Sequence, residues 1–192
     1  AEPMGAPELA AYDEQVALGG MPDHAVGVTE MAWNGVLTSR IDSSVSRWFE
    51  TSWRRVVPTG STEAGRHPRS KTELQVRHLF GGLGLPEDEK PPMDDFAMID
   101  GHRRATDMLT LLASSLLTPR GILLIEDWST ADWLTSTDLY NLATRVGPGQ
   151  MHLFSASPEV RADRAIIEAE KRGSLILHDS DLSTLIREAE SR

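Results

Sequence analysis

Cysteine is absent from the 192-residue sequence. This absence excludes a disulfide framework, a cysteine-ligated zinc site and a thiol nucleophile. A chain without disulfides suits a reducing compartment, so we expect the protein to lie in the cytoplasm.

Long hydrophobic runs are also missing. The apolar stretch at residues 109–117 comes nearest, and it is much shorter than the ~20 residues that a membrane-spanning helix needs. No signal peptide is recognisable, so we expect no membrane partner. The sequence starts with alanine in a stretch rich in proline, alanine and glutamate, and we therefore expect a fragment of a longer protein.

Positive charge is scarce. The sequence has 19 Lys and Arg residues against 29 Asp and Glu residues, a formal net charge of −10. Sequence-independent binding to nucleic acid depends on clustered cations, so this balance argues against a nucleic-acid partner. We expect contacts with protein partners or with other domains of the same chain, and the composition leaves an oligomer open.

The sequence does contain a regular alternation of short aliphatic runs and amphipathic stretches. The runs predict strands at residues 35–39, 55–57, 74–80, 121–125, 151–154 and 174–177, the second one ending at Pro58. The stretches between them predict helices at residues 43–53, 100–117, 136–146, 158–172 and 180–190. This order predicts an α/β fold, a Rossmann-like parallel sheet with helices on both faces. Residues 1–30 are predicted to be helix or coil, and residues 31–192 to form the domain.

Candidate binding residues follow from this fold, because ligands of open parallel sheets lie beyond the carboxyl ends of the strands. The residues in those places are Thr38, Ser39, Arg40 and Asp42, then Phe80 and Gly81, then Asp127, Trp128 and Ser129, and finally Ser155. No two histidines have the close helical spacing of a zinc site. We therefore expect no metal.

Three segments resemble motifs of one family, and they occur in its order. Residues 32–42, AWNGVLTSRID, are similar to the pattern W-x-x-V-L-T-T-N-x-D of bacterial SIR2-like domains. Residues 78–82, HLFGG, resemble the family's L-H-G-S segment, and residues 124–132, LIEDWSTAD, resemble its F-I-G-Y-S-L-S-D segment. Together the three span roughly residues 30 to 160, and they identify residues 31–192 as a SIR2-like Rossmann-type domain.

The sequence departs from the family at the residues that carry its chemistry. Arg40 stands where the family has the asparagine that positions water or the nicotinamide ribose. Phe80 stands where the family has its general base, and a phenyl ring cannot transfer a proton. Asp127 replaces the glycine that lets the adenosine ribose approach. The glycine-rich phosphate loop G-A-G-x-S has no counterpart, and Asp42 and His78 remain as candidate catalytic residues.

The resemblance implies NAD as the cofactor and a catalytically impaired domain. We expect a structural, nucleotide-sensing or assembly module of a larger bacterial protein, in the setting of antiviral defence where such domains often occur. Two alternatives stay open. One is an active NAD-consuming hydrolase with a rearranged site of Asp42, His78 and Asp127. The other is a Rossmann-like binder of a different nucleotide, read by Trp128 and Asp127.

Overall fold

The computed structural model describes residues 6–21, 26–50, 53–60, 72–86, 106–107, 109–110, 117, 120–126, 134–155, 157–180 and 182–190. These residues form helices and parallel strands, so the predicted α/β class is confirmed. The chain divides into two compact units, Ala1–Leu109 and Thr110–Arg192. This division lies inside the domain predicted for residues 31–192, whose boundaries stay a prediction.

The first unit contains a parallel sheet of three strands and three described helices. In chain order they are α1 (Ala6–Leu18), α2 (Val26–Glu30), β1 (Val36–Thr38), α3 (Ser44–Phe49), β2 (Arg55–Thr59) and β3 (Glu73–His78). The strand order is β1-β3-β2, so β3 lies in the middle and pairs with both neighbours. All three strands therefore end at the same edge of the sheet.

Two predicted strand ends in this unit are wrong. Pro58 does not end β2, because the strand continues to Thr59 with Pro58 opposite Val76. A proline lacks an N–H, but β2 pairs only with β3 within the described part of the chain, and an edge strand tolerates that loss. The third strand ends at His78, and Phe80 lies in the following turn rather than on the strand.

The core of the first unit lies between the sheet and α3. Leu74 and Val76 on the middle strand are fully buried and form one cluster with Val45 and Phe49 of α3. Burying an aliphatic or aromatic side chain of this size contributes about 1.5–3 kcal/mol. The apolar residues of α3 that face the sheet are Val45 and Phe49, and the helix ends at Phe49 instead of residue 53. The bond between the Ser46 hydroxyl and His78 places the start of α3 at the carboxyl end of the sheet.

The second unit contains another parallel sheet of three strands, in the order β4-β5-β6. Its elements are β4 (Leu123–Glu126), α4 (Ser136–Val146), β5 (Met151–Phe154), α5 (Pro158–Ala162), α6 (Arg164–Lys171), β6 (Leu175–His178) and α7 (Leu182–Glu190). The middle strand is apolar and buried, with Met151 and Leu153 fully covered, as are Leu139 of α4 and Ile166 of α6.

The predicted single helix over residues 158–172 is two helices. Asp163 interrupts it with an extended backbone, φ −70° and ψ 126°. Its carboxylate accepts from the backbone N–H groups of Ala165 (2.8 Å) and Ile166 (3.3 Å), so Asp163 is the N-cap of α6. A short acidic side chain satisfies the free N–H groups of a helix start, which favours a new helix over a continuous one.

Only fragments of the helix predicted for residues 100–117 lie within the described residues, and these are helical at residues 106–107 and 109–110. Across the described part of the chain, no helix combines the length and the apolar character required to cross a membrane.

Candidate functional site

The carboxyl edge of the first sheet gathers most of the predicted site residues. Thr38 and His78 are direct neighbours in the register of β1 and β3. Beyond them the two chain segments stay together, because Leu79 N–H donates to the Thr38 carbonyl (2.9 Å) and Leu83 N–H donates to the Ile41 carbonyl (2.8 Å). We call residues 38–50 and 78–85 the edge site.

Asp42 is a buried carboxylate whose oxygens are engaged within the protein. Its side chain forms an ion pair with Arg40, whose Nη2 lies 2.9 Å from Oδ2. Its Oδ1 accepts from the backbone N–H of Ser44 at 3.0 Å and also from the Ser44 hydroxyl. Burial alone would raise the pKa of Asp42, but the bonds from Arg40 and Ser44 outweigh it and hold that pKa below its ordinary value. Asp42 is therefore an ionised residue at the start of α3.

Arg40 faces solvent while it holds Asp42. Its side chain is 46% exposed, and its guanidinium carbon lies 5.9 Å from the centroid of the Trp48 ring, within cation–π range. Its backbone N–H donates to the Thr38 hydroxyl (3.1 Å), which closes a tight turn after β1. The Thr38 hydroxyl and the Asp42 carboxylate both bind Arg40, and these bonds help to fix the conformation of the loop.

His78 is 2% exposed, and both of its ring nitrogens have partners. Nδ1 lies 2.9 Å from the carbonyl oxygen of Arg40, and Nε2 lies 3.1 Å from the hydroxyl oxygen of Ser46. A carbonyl oxygen can only accept, so Nδ1 of the neutral ring carries the proton and donates it. Nε2 is then the acceptor, and the Ser46 hydroxyl donates to it.

A shallow cleft opens beside this pair. Its volume is about 110 Å³, well below the roughly 300–1,000 Å³ of ordinary small-molecule pockets. Ser46 and His78 contribute to its wall, and its remaining lining is Ile41, Ser43, Arg47, Glu50, Pro58, Gly82, Leu83, Gly84 and Leu85. The cleft is therefore small, with four apolar side chains beside polar ones that include one cation and one anion.

Gly81 and Gly82 determine the shape of the turn that follows β3. Gly81 has φ 83°, a left-handed conformation that favours glycine, and its N–H donates to the His78 carbonyl. At Gly82 a Cβ atom would come within 3.3 Å of the His78 ring and 3.0 Å of the Leu85 side chain. A larger residue at either position would displace the turn that covers His78. Phe80, which precedes Gly81, is half-buried.

The N-terminal helix α1 also reaches this site. The Asp13 carboxylate accepts from the backbone N–H of Ser43 (2.6 Å) and from its hydroxyl (2.9 Å). Arg47 donates to that same hydroxyl at 3.0 Å. These bonds anchor the start of α3, so the segment expected to be only helix or coil takes part in holding the site.

The remaining predicted residues are not in this group. Ser39 is in the loop after β1, but it is exposed. Ser155 is buried after β5 in the second unit, where its N–H donates to the His178 carbonyl (3.1 Å). Asp127, Trp128 and Ser129 lie outside the described residues, so their predicted roles stay predictions.

Two histidines, His152 and His178, contact each other in the second unit. His152 Nδ1 is 2.9 Å from His178 Nε2, and the Phe154 ring stacks on His178 with centroids 4.4 Å apart. Burial first, and then the nearby His152, lower the pKa of His178, while Asp179 acts in the opposite direction. Within the described ranges, no three His, Asp or Glu side chains converge as a metal site would require.

Sequence reasoning missed Ser44, Ser46 and Asp13. A signal for Ser46 was present, because it lies four residues after Asp42 and would face the same way on a helix that starts there. Asp13 has no such signal, since its contact with Ser43 joins residues thirty positions apart.

Comparison with known proteins adds no relative. No protein-family model, no curated protein and no solved structure matches the chain. The resemblance to SIR2-like domains therefore stays a prediction from the three motifs.

Proposed function

We propose that this chain is a catalytically impaired SIR2-like domain, which acts as a structural, nucleotide-sensing or assembly module of a larger bacterial protein in the cytoplasm. The observation that supports this most directly is the state of the two candidate catalytic residues. Asp42 is engaged by Arg40 and Ser44, and His78 is engaged on both ring nitrogens. Neither group has a free atom to offer a bound ribose.

The start of α3 argues in the same direction. Dinucleotide sites place a pyrophosphate against backbone N–H groups at a helix N-terminus. Here the Asp42 carboxylate already accepts from the Ser44 N–H at that end of α3. A phosphate would meet a negative charge at close range instead of free donors. Any NAD that binds would have to place its phosphates elsewhere.

Arg40 is the residue best suited to contact a nucleotide in this proposal. It lies at the carboxyl edge, where ligands of parallel sheets bind, and its half-exposed guanidinium can reach solvent. Sensing would then use the cation of Arg40 and the ring of Trp48 beside it. This mode would bind without supplying a general base.

The decisive test is a calorimetric titration of the 192-residue protein with NAD, with nicotinamide release assayed in the same samples. We expect no turnover above the protein-free background. Binding without turnover would assign the sensing role, and a saturating nucleotide at 100 times its Kd would stabilise the fold by ~2.7 kcal/mol. Absence of both binding and turnover would assign the structural or assembly role. Robust nicotinamide release would overturn the proposal and favour the active hydrolase.

A matched pair of variants locates the binding. Arg40→Ala removes the cation at the edge site, and Arg55→Ala removes an exposed cation from the opposite end of the sheet, where it pairs weakly with Glu73 at 3.9 Å. Binding at the edge site predicts a several-fold weaker Kd for Arg40→Ala only. Equal weakening of NAD binding by both variants would point to the overall charge of the protein, because each variant removes one positive charge.

A further inference from the structure

His78 is positioned to act on a hydroxyl of this chain, not on one of a nucleotide. Its Nδ1–H is held by the Arg40 carbonyl, which leaves Nε2 as the only basic atom of the ring. That atom is 3.1 Å from the Ser46 hydroxyl. A base oriented on one nitrogen by a third group and bonded on the other to a hydroxyl is the general arrangement of an activated oxygen nucleophile.

We infer that Ser46 and His78 form a nucleophile–base pair that accepts a short acyl group from a small neutral ester in the cleft beside them. The cleft sets the substrate class. Its volume of about 110 Å³ suits a chain of few carbons, because pockets for larger ligands reach roughly 300–1,000 Å³. Its aliphatic wall suits an apolar group, and the opposite charges of Arg47 and Glu50 at its lining give no preference for a charged one.

Hydrolysis of the ester by this pair consumes water and requires no other reactant. The Ser46 oxygen forms a bond to the ester carbonyl carbon while its proton passes to His78 Nε2. The tetrahedral intermediate then expels the alkoxide, which leaves as the alcohol after taking that proton. Water attacks the acyl-serine with Nε2 as its base, and the carboxylic acid departs as Ser46 recovers its proton.

In the proposed reaction, the backbone N–H groups of Gly82 and Gly84 would bind the oxyanion. Gly82 and Gly84 line the same cleft, and among the described residues their N–H groups donate to no other group. Backbone N–H groups are the usual donors to a tetrahedral oxyanion, and the lack of a side chain lets a substrate approach them. The close fit of Gly82 to the His78 ring, where a Cβ would come within 3.3 Å, keeps this wall beside the base.

Ser46 and His78 are both buried. Ser46 is 5% exposed and His78 is 2% exposed, yet both contribute atoms to the cleft. Neither residue is needed to fill an apolar core, and burying a hydroxyl and an imidazole costs stability unless each is bonded. The pair satisfies this requirement only through each other and the Arg40 carbonyl.

Methanesulfonyl fluoride is a probe small enough for this cleft, and it sulfonylates activated serines with release of fluoride. We expect one adduct on the folded chain, mapped to Ser46 by peptide mass spectrometry. General-base assistance contributes about 10²–10⁴-fold, so Ser46 should react at least about 100 times faster in the folded protein than in urea. Labelling of another residue, or labelling of Ser46 at the same rate in both states, would overturn the inference.

Variants separate the base from the surroundings. Ser46→Ala should abolish the adduct, and His78→Gln should reduce the labelling of Ser46 to its rate in the unfolded chain. Ser157→Ala is the matched control, because it removes a hydroxyl in the second unit that donates to the Glu159 carboxylate; its labelling should equal that of the unchanged protein. If His78→Gln labels at the unchanged rate, His78 is not the base. Should either variant unfold, the mapping on the unchanged protein still decides the matter, and it does so independently of any NAD titration.

Discussion

The two units have the same three-stranded parallel sheet but different interiors. Of the ten buried polar or charged side chains among the described residues, nine lie in the first unit and only Ser155 lies in the second. The second unit instead contains thirteen of the nineteen buried hydrophobic residues that the structure describes. Because burying polar groups costs free energy unless they are bonded, the fold of the first unit depends more on hydrogen-bond partners than that of the second.

The difference is sharpest where the middle strands end. β3 ends in His78, which bonds a carbonyl and a hydroxyl, whereas β5 ends in the buried ring of Phe154. The middle strand therefore ends in a bonded polar side chain in one unit and in an apolar ring in the other. The sheet positions these residues, and the side chains at its edge decide what each unit can do.

The largest expected effect tests whether each core supports its own unit. Leu74→Ala and Leu153→Ala each remove a fully buried side chain from a middle strand. Each should lower the free energy of unfolding by about 2–5 kcal/mol. Hydrogen exchange read by mass spectrometry should show faster exchange in β1–β3 for Leu74→Ala and in β4–β6 for Leu153→Ala.

Leu18→Ala is the control for this pair, since Leu18 is 86% exposed; its effect should stay within about 0.5 kcal/mol. Faster exchange across both sheets in either variant would show one cooperative structure, and the comparison of two independent interiors would then fail.

The next effect concerns the polar edge of the first unit. Asp42→Asn removes the charge that pairs with Arg40 while keeping an oxygen for Ser44. Chemical denaturation should show a loss of about 1–3 kcal/mol, the range for a bond to a buried charged group. Glu73→Gln is the matched control: its pair with Arg55 is long and exposed, so its loss should stay below about 1 kcal/mol. Equal losses would mean that burial at the edge site adds nothing to the pair.

A smaller effect tests the helices of the second unit. Thr135 and Asp138 form a capping box at the start of α4, with reciprocal side-chain-to-backbone bonds of 3.2 and 3.0 Å. Thr135→Ala should reduce stability by about 1 kcal/mol in thermal unfolding. Thr144→Ala on the exposed face of the same helix removes only a bond to the Asn141 carbonyl and should change stability by less than about 0.5 kcal/mol. A reversal of this order would rule out the cap as a stabilising element.

The smallest expected effect comes from His178, which is only partly buried. Its pKa in the folded protein is lowered, mainly by burial and then by His152. The unfolded chain, with an ordinary value of ~6.5, therefore binds a proton more readily than the folded chain. Its contribution to stability is complete above that value and is lost as the pH falls through it towards the folded pKa. Thermal unfolding from pH 7.5 to 5 should show this loss, and His178→Asn should reduce it. An unchanged slope in the variant would contradict the assignment.

Prediction from the sequence succeeded where one local pattern decides the structure. The aliphatic runs at β5 and β6 and the 3.6-residue spacing of α4 are such patterns, and both strands and the helix lie where they were expected. Prediction failed where a neighbour overrides the local preference. Pro58 stays in a strand that, among the described residues, pairs on one side alone, and Asp163 starts a new helix because it accepts from two N–H groups.

For the site, the sequence by itself determined the place: polar residues follow β1 and β3, and the carboxyl ends of parallel strands lie at one edge. It also determined that Phe80 cannot be a base. Only the tertiary structure decided the partners. The Ser46–His78 bond joins residues 32 positions apart, and the Asp13–Ser43 bond joins residues 30 positions apart. Such contacts arise because the apolar face of α3 packs on β3, and no periodicity along the chain encodes which hydroxyl that packing will bring to a ring nitrogen.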